Sequence, residues 1–112
     1  MSPLKITVRS AATGPVVEVA GELDYTSAPE LRDLLTTLAL PPGGRLVLDL
    51  GGMDFCDSSG LTALIVARNL AQAAGADLVL AAVPAHTLRV LRTVGLDQVF
   101  LIRSDSTAAA TA

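Results

Sequence analysis

The pattern of apolar and polar positions predicts a β-hairpin at the start of the chain. Leu4, Ile6 and Val8 alternate with polar residues, which is the period-two pattern of a strand with one face in solvent. Residues 13–15 (Thr-Gly-Pro) predict a turn, and residues 16–20 predict a second strand that returns along the first.

After residue 20 the pattern predicts helix, strand, helix, strand, helix and strand in turn. The first helix is expected to start at Ser27, an N-cap residue that has Glu30 three positions later, as in a capping box. A second helix is expected to end at Gly75, and a third to start at Pro84 and end at Gly95. The predicted strands cover residues 46–48, 78–83 and 99–102, and residues 49–57 are predicted to be a loop. Helices that alternate with short apolar strands predict an α/β fold, with a mixed β-sheet that has an N-terminal hairpin and helices packed on it.

The domain is expected to span residues 1–102, which is the length of one typical domain. Residues 103–112 are small, polar or alanine-rich and have no apolar stripe. We expect a flexible C-terminal tail there, although its alanines could support a short helix.

Composition removes several classes of function. The net charge is -3 and aromatic residues make up 3% of the chain, so we expect no nucleic-acid partner. No apolar run approaches the length of a membrane span, and no signal peptide is apparent, which predicts a cytoplasmic protein without a membrane partner. One cysteine, Cys56, and one histidine, His86, do not make a standard zinc site, and we expect no cofactor.

The segment with the most informative chemistry is residues 53–61, Met-Asp-Phe-Cys-Asp-Ser-Ser-Gly-Leu, which lies between a predicted strand and a predicted helix. Ligands and chemistry collect at the carboxyl ends of such strands in α/β sheets. Asp57 or Ser58 is expected to be the helix N-cap. Free amides and the helix dipole there would favour a phosphate on Ser58. The same residues are also ordinary capping and turn residues, so local chemistry alone favours a structural role.

The order of the motifs along the chain favours a functional role over a purely structural one. Residues 57–61, after the apolar strand, closely resemble the phosphorylation loop of bacterial anti-sigma factor antagonists, which are STAS domains. Residues 21–24 (Gly-Glu-Leu-Asp), with Ala28 and Leu31, resemble the family's other signature. Residues 75–78 and 94–96 are similar as well, so that the resemblance runs from about residue 4 to residue 102.

The resemblance implies a STAS-type fold and a switch. In the family, the unphosphorylated antagonist binds an anti-sigma factor and so frees a sigma factor for transcription. The anti-sigma factor is also a serine kinase that phosphorylates the serine matching Ser58, which separates the complex, and a PP2C-type phosphatase reverses the modification.

Five neighbouring residues are expected at the partner interface. Asp57 and Asp24 could repel a phosphate, and Glu22 could also contact the partner. For Asp24 the alternative is a loop residue that helps to cap the next helix. Ser59 and Gly60 complete the expected interface; Gly60 keeps the loop clear of a side chain, and secondary modification of Ser59 is left open.

Two alternatives stay open. One is a STAS module of a stress-sensing or transporter-linked assembly, and the other is an enzyme with Ser58 as nucleophile, which would need a base such as His86. The enzyme is disfavoured because the glycine of a nucleophile elbow is missing two residues before Ser58. The oligomeric state is not predicted.

Overall fold

A computed structural model describes residues 2–111 as one mixed α/β unit. Its elements in chain order are β1 (Lys5–Ala11), β2 (Gly14–Leu23), α1 (Ala28–Thr36), β3 (Arg45–Cys56), α2 (Ser58–Ala73), β4 (Asp77–Ala81), α3 (Ala85–Thr93), a 3-10 turn (Leu96–Gln98), β5 (Leu101–Arg103) and α4 (Ser106–Thr111).

The strands form a five-stranded sheet in the order β1-β2-β3-β4-β5. β1 and β2 are antiparallel, and each later strand runs parallel to its neighbour. The predicted hairpin and the predicted α/β class with a mixed sheet are therefore confirmed. Gly21 in β2 has a φ of 87°, and a Cβ atom there would meet the backbone oxygen of Pro3, so this position requires glycine.

Helices α1, α2 and α3 lie on one face of the sheet. Each connects two adjacent parallel strands and the strand order advances in one direction, so right-handed crossovers place all three helices on the same side. Their apolar stripes pack on the inward side chains of the strands. The main core includes Leu31, Leu35, Leu48, Leu64, Leu80 and Leu91.

Strand β3 is longer than the sequence pattern predicts. Residues 49–57 were expected to be a loop, but β3 continues to Cys56 and pairs with β2 as far as Leu23. The pairing of β3 with β4 ends at Asp49, so the outer half of β3 has a strand partner on one side. Gly51, Gly52 and Asp54 are exposed there, and the apolar run of a doubly covered strand is therefore missing.

Part of the segment for which a flexible tail is expected, residues 103–112, forms a short helix. Helix α4 lies on the sheet face opposite α1, α2 and α3, where Ala109 is buried with Val16, Val47, Val79 and Ala81. The Arg45 guanidinium donates to the carbonyl oxygen of Ala109 at 2.9 Å. The structure therefore shows the short alanine-rich helix that the sequence left open. Mobility in solution is a separate property, and the flexible tail stays a prediction.

The last strand is also shifted. It was expected at residues 99–102, but β5 begins at Leu101 because residues 96–98 form a 3-10 turn that carries the chain to the sheet. Among residues 2–111, no helix has both the length and the apolar character that crossing a bilayer requires.

Candidate functional site

The carboxyl ends of β2 and β3 bring together the two segments that carry the sequence motifs. Leu23 and Cys56 are register partners at the ends of these strands. The backbone N–H of Asp57 donates to the carbonyl oxygen of Leu23 at 3.2 Å. The loop after β2 and the start of α2 are thus neighbours, as expected for parallel strands that end at one edge of the sheet.

Asp57 is the N-cap of α2, which decides between the two residues that the sequence allowed. Its Oδ1 accepts the backbone N–H groups of Ser59 at 2.8 Å and Gly60 at 3.1 Å. Its Oδ2 accepts the backbone N–H of Tyr25 at 3.2 Å. One carboxylate therefore caps α2 and also holds the loop after β2 against it.

Ser58 is the first residue of α2, and it is exposed. Within residues 2–111 its hydroxyl makes no hydrogen bond, while its backbone carbonyl accepts the Thr62 hydroxyl at 3.0 Å. The sequence predicted free amides that could bind a phosphate at this helix start. Two of them are already occupied, because the Asp57 carboxylate accepts the backbone N–H groups of Ser59 and Gly60. A phosphate on Ser58 would therefore stand beside the Asp57 carboxylate, and the helix N-terminus would offset only part of that repulsion.

Asp24 organises the loop between β2 and α1. Its Oδ1 accepts the backbone N–H groups of Thr26 at 3.0 Å and Ser27 at 3.1 Å, together with the Thr26 hydroxyl at 2.8 Å. The hydrogen bond from the Thr26 side chain, followed by that from the Ser27 backbone, lowers the pKa of Asp24 below its ordinary value of 3.8. Asp24 is thus a loop residue, but its side chain bonds to Thr26 and Ser27 before α1 and does not cap the helix itself; its contact with a partner stays a prediction.

The predicted capping box at α1 is absent, and Ser27 and Glu22 have other contacts. The Ser27 hydroxyl donates to the carbonyl oxygen of Glu22 at 2.7 Å and accepts the backbone N–H of Asp24 at 2.9 Å, so it folds the loop back on itself. The Glu22 carboxylate accepts the backbone N–H of Ser2 at 2.9 Å. Both side chains thus stabilise the local backbone, and the Ser27 hydroxyl bonds to Glu22 and Asp24 in place of the Glu30 amide.

Gly60 is buried and not open to a partner. A Cβ atom at this position would lie 2.6 Å from Cys56 Sγ and 2.8 Å from the carbonyl oxygen of Leu23. Glycine is therefore needed for the close approach of α2 to the ends of β2 and β3. The structure replaces the expected clear loop with a tight packing contact, and an interface role for Gly60 stays a prediction.

Cys56 lies under the site with its thiol half-buried. Burial, with a smaller contribution from the charge of Asp57, raises the pKa of this thiol from 9.0 to about 11. A high pKa keeps the thiol protonated and poorly nucleophilic.

A groove beside Ser58 escaped the sequence analysis. A cavity of about 270 Å³ opens between α1 and α2, and it is lined by Tyr25, Ala28, Pro29, Arg32, Ser59 and Thr62. Only Ser59 of these was expected at the site. A usable signal was present, because Tyr25 is the single tyrosine of the chain and follows the Gly-Glu-Leu-Asp motif directly.

In the part of the chain that the structure describes, no three His, Cys, Asp or Glu side chains form a group able to hold a metal ion.

Comparisons of the sequence and of the fold with known proteins both identify the same family. The family described as "Mlab, STAS domain" matches residues 6–103. The anti-sigma-B factor antagonist of Bacillus subtilis (strain 168) is 28% identical over 103 residues, which cover 92% of this chain and 94% of that protein.

Two solved structures extend the comparison. An anti-sigma factor antagonist from Mycobacterium paratuberculosis has a TM-score of 0.81 at 27% identity, over 97% of this chain and 92% of that one. The Bacillus cell fate determinant SpoIIAA in its phosphorylated form has the same fold, with a TM-score of 0.73 at 17% identity over 94% of this chain and 96% of that one. The STAS-type fold predicted from the motifs is thereby confirmed. Because the family match runs through almost every element from β1 to β5, this chain belongs to the STAS domain family.

Proposed function

We propose that this protein is an anti-sigma factor antagonist whose binding to an anti-sigma factor is switched off by phosphorylation of Ser58. The observation that carries the proposal is the position of Ser58, an exposed hydroxyl on the first residue of a helix whose capping carboxylate belongs to the preceding residue. A kinase can reach this hydroxyl while the cap and the core behind it stay in place.

Charge gives the modification its effect. A phosphate adds about -1.5 to -2 charges at neutral pH. It would stand on the protein surface, next to the carboxylate of Asp57, which caps the same helix. A partner seated on this surface must bury the added charge, and a coupling of about 1–3 kcal/mol is enough to weaken binding roughly 5–150-fold.

The relatives support the same assignment. Both the Bacillus subtilis relative and the Mycobacterium paratuberculosis structure are named anti-sigma factor antagonists. SpoIIAA is known in a phosphorylated form on the same fold. By extension, the kinase is the anti-sigma factor itself, a PP2C-type phosphatase restores Ser58, and the cycle runs in the cytoplasm.

The enzyme alternative gains nothing from the site. A nucleophilic serine needs a base within hydrogen-bond reach. In residues 2–111 the Ser58 hydroxyl has no such partner. Labelling of the pure protein at Ser58 by a fluorophosphonate would reopen this alternative.

The decisive experiment is incubation of the protein with kinase-type anti-sigma factors and ATP, followed by mass spectrometry of the intact chain and its peptides. We expect one phosphate on Ser58 in the wild type and in Ser59→Ala, and none in Ser58→Ala. Ser59→Ala is the matched control, since it removes the neighbouring hydroxyl of the same helix turn. Modification confined to other residues, or absent with every kinase, would refute the proposal.

A further inference from the structure

The groove between α1 and α2 has the composition of an interaction hot spot. Tyr25 is 79% exposed in a chain with three aromatic residues. Tyrosine combines a large apolar ring with a polar hydroxyl and is enriched at interfaces for that reason. Tyrosine and arginine are enriched among the residues that dominate binding energy at protein interfaces, and Tyr25 and Arg32 line this groove together.

Arg32 has no acidic partner in the described part of the chain. The residues three and four positions away on its own helix are Ala28, Pro29, Leu35 and Thr36, none of which is charged. Across the groove, α2 presents the hydroxyl residues Ser59 and Thr62. Within residues 2–111 the guanidinium makes neither a hydrogen bond nor an ion pair.

The groove is adjacent to Ser58 by helix geometry. Thr62 is four residues after Ser58 and bonds to its carbonyl oxygen, so the two residues share one face of α2. Thr62 and Ser59 both line the groove; Ser58 does not line it but is adjacent to both residues on the helix, and we take it to lie at the rim.

We infer that this groove is the docking site for a carboxylate side chain of the anti-sigma factor kinase, held by Arg32 and flanked by Tyr25. A guanidinium offers a planar, two-pronged donor that matches a carboxylate. The inference rests on the proposed function, and it adds where the partner docks and that the docking group is negatively charged. It also explains the direction of the switch, because a phosphate at the rim would repel the docked carboxylate and compete for the same guanidinium.

The test measures the dissociation constant between the kinase that modifies Ser58 and four forms of the unphosphorylated full chain. These forms are wild type, Arg32→Gln, Arg32→Lys and Arg68→Gln. Arg68→Gln is the matched control, because Arg68 is also a helical arginine without an ion pair among residues 2–111 but lies ten residues after Ser58 along α2, about 15 Å away. We expect Arg32→Gln to weaken binding about tenfold or more, Arg32→Lys to weaken it less, and Arg68→Gln to change it less than about twofold.

A second arm tests the link to the switch. Phosphoserine is placed at position 58 during translation, so that this arm does not depend on the kinase reaction. The loss of affinity caused by the phosphate should be smaller in Arg32→Gln than in wild type, since the docked carboxylate has already lost its partner. Thermal unfolding of Arg32→Gln should match wild type, which shows that the loss is not one of folding.

The outcomes separate the two proposals. Suppose that wild type binds the kinase and is phosphorylated on Ser58. Unchanged affinity in Arg32→Gln, or an equal effect of the phosphate on affinity in wild type and Arg32→Gln, then overturns the docking inference and leaves the proposed function standing. Failure of every kinase-type anti-sigma factor to bind wild type overturns both, and that result appears before any Arg32 variant is compared.

Discussion

The capping carboxylate and the thiol beneath it give the site its residue-level chemistry. Asp57 uses one oxygen for the amides of α2 and the other for the amide of Tyr25. Cys56 is covered by this junction, and its Sγ lies where a side chain on Gly60 would have to go. The thiol is therefore a packing group that also reports whether the junction is closed.

We predict that alkylation of Cys56 is slow in the folded protein. A pKa of about 11 in place of 9.0 lowers the thiolate fraction at pH 8 about 100-fold. Iodoacetamide labelling at pH 8, followed by mass spectrometry, should be slower by about that factor in the native chain than in the chain unfolded in urea. Equal rates in the two states would contradict the burial of this thiol.

The same shift predicts how stability depends on alkaline pH. The folded-state pKa is raised, so the folded chain holds the thiol proton more tightly than the unfolded chain does. This contribution is fully present below about pH 9 and is lost as pH rises from 9 towards 11. Cys56→Ala serves as the control in urea titrations, because it removes this contribution to the pH dependence.

At the scale of elements, the C-terminal helix protects the sheet face that the three crossover helices leave open. Ala109 completes a small apolar cluster with Val16, Val47, Val79 and Ala81. Arg9 also donates to the Ser106 hydroxyl at 2.9 Å, which attaches the start of α4 to the edge strand.

We predict that removal of residues 104–112 destabilises the domain by about 1–3 kcal/mol, because it uncovers several buried apolar side chains. The measurement is urea unfolding of the truncated and complete chains. Arg45→Gln is the control, since it removes the hydrogen bond to Ala109 and leaves the cluster covered, and its effect should be about 1 kcal/mol or less. Equal stability of the truncated and complete chains would instead support the flexible tail expected from the sequence.

At the scale of the whole molecule, the core and the modifiable hydroxyl are separate. Ser58 lies at the surface, while the leucines of α1 and α2 pack on the sheet below. A charge added at Ser58 therefore meets solvent on the outside and the helix N-terminus on the inside.

We predict that the chain with phosphoserine at position 58 keeps its fold. Its amide NMR spectrum should change near residues 24–27 and 57–62 and remain unchanged in β4 and α3, and its Tm should shift by less than about 5 °C. The unmodified chain and Ser58→Ala provide the reference spectra. Loss of dispersion across the spectrum would show that the phosphate unfolds the domain.

How much the sequence predicts depends on what each residue packs against. The leucine stripes of α1 and α2 predicted these helices because each stripe faces a single sheet. The outer half of β3 was missed, because Gly51, Gly52 and Asp54 have little to bury and leave no apolar signature.

The site, too, could be predicted only in part from the sequence. The residue types around Ser58 pointed to a helix start, and family motifs pointed to Ser58 itself. The groove could not be predicted from the sequence, because Tyr25, Arg32 and Thr62 come from two separate segments and are brought together only in the fold. Asp57 caps α2, as one of the two residues that the sequence allowed, and its contact with a partner stays a prediction.

The one-sided outer half of β3 has a consequence for local opening. From Leu50 to Cys56 this strand has β2 as its only strand partner among the described residues, whereas residues 47–49 pair with β2 on one side and β4 on the other. Amide protons in the outer half should therefore exchange with deuterated water earlier than those of the inner half. The surface proposed to bind the anti-sigma factor thus lies on the part of the sheet expected to open first, so it can change conformation on binding while the leucine-rich core stays closed.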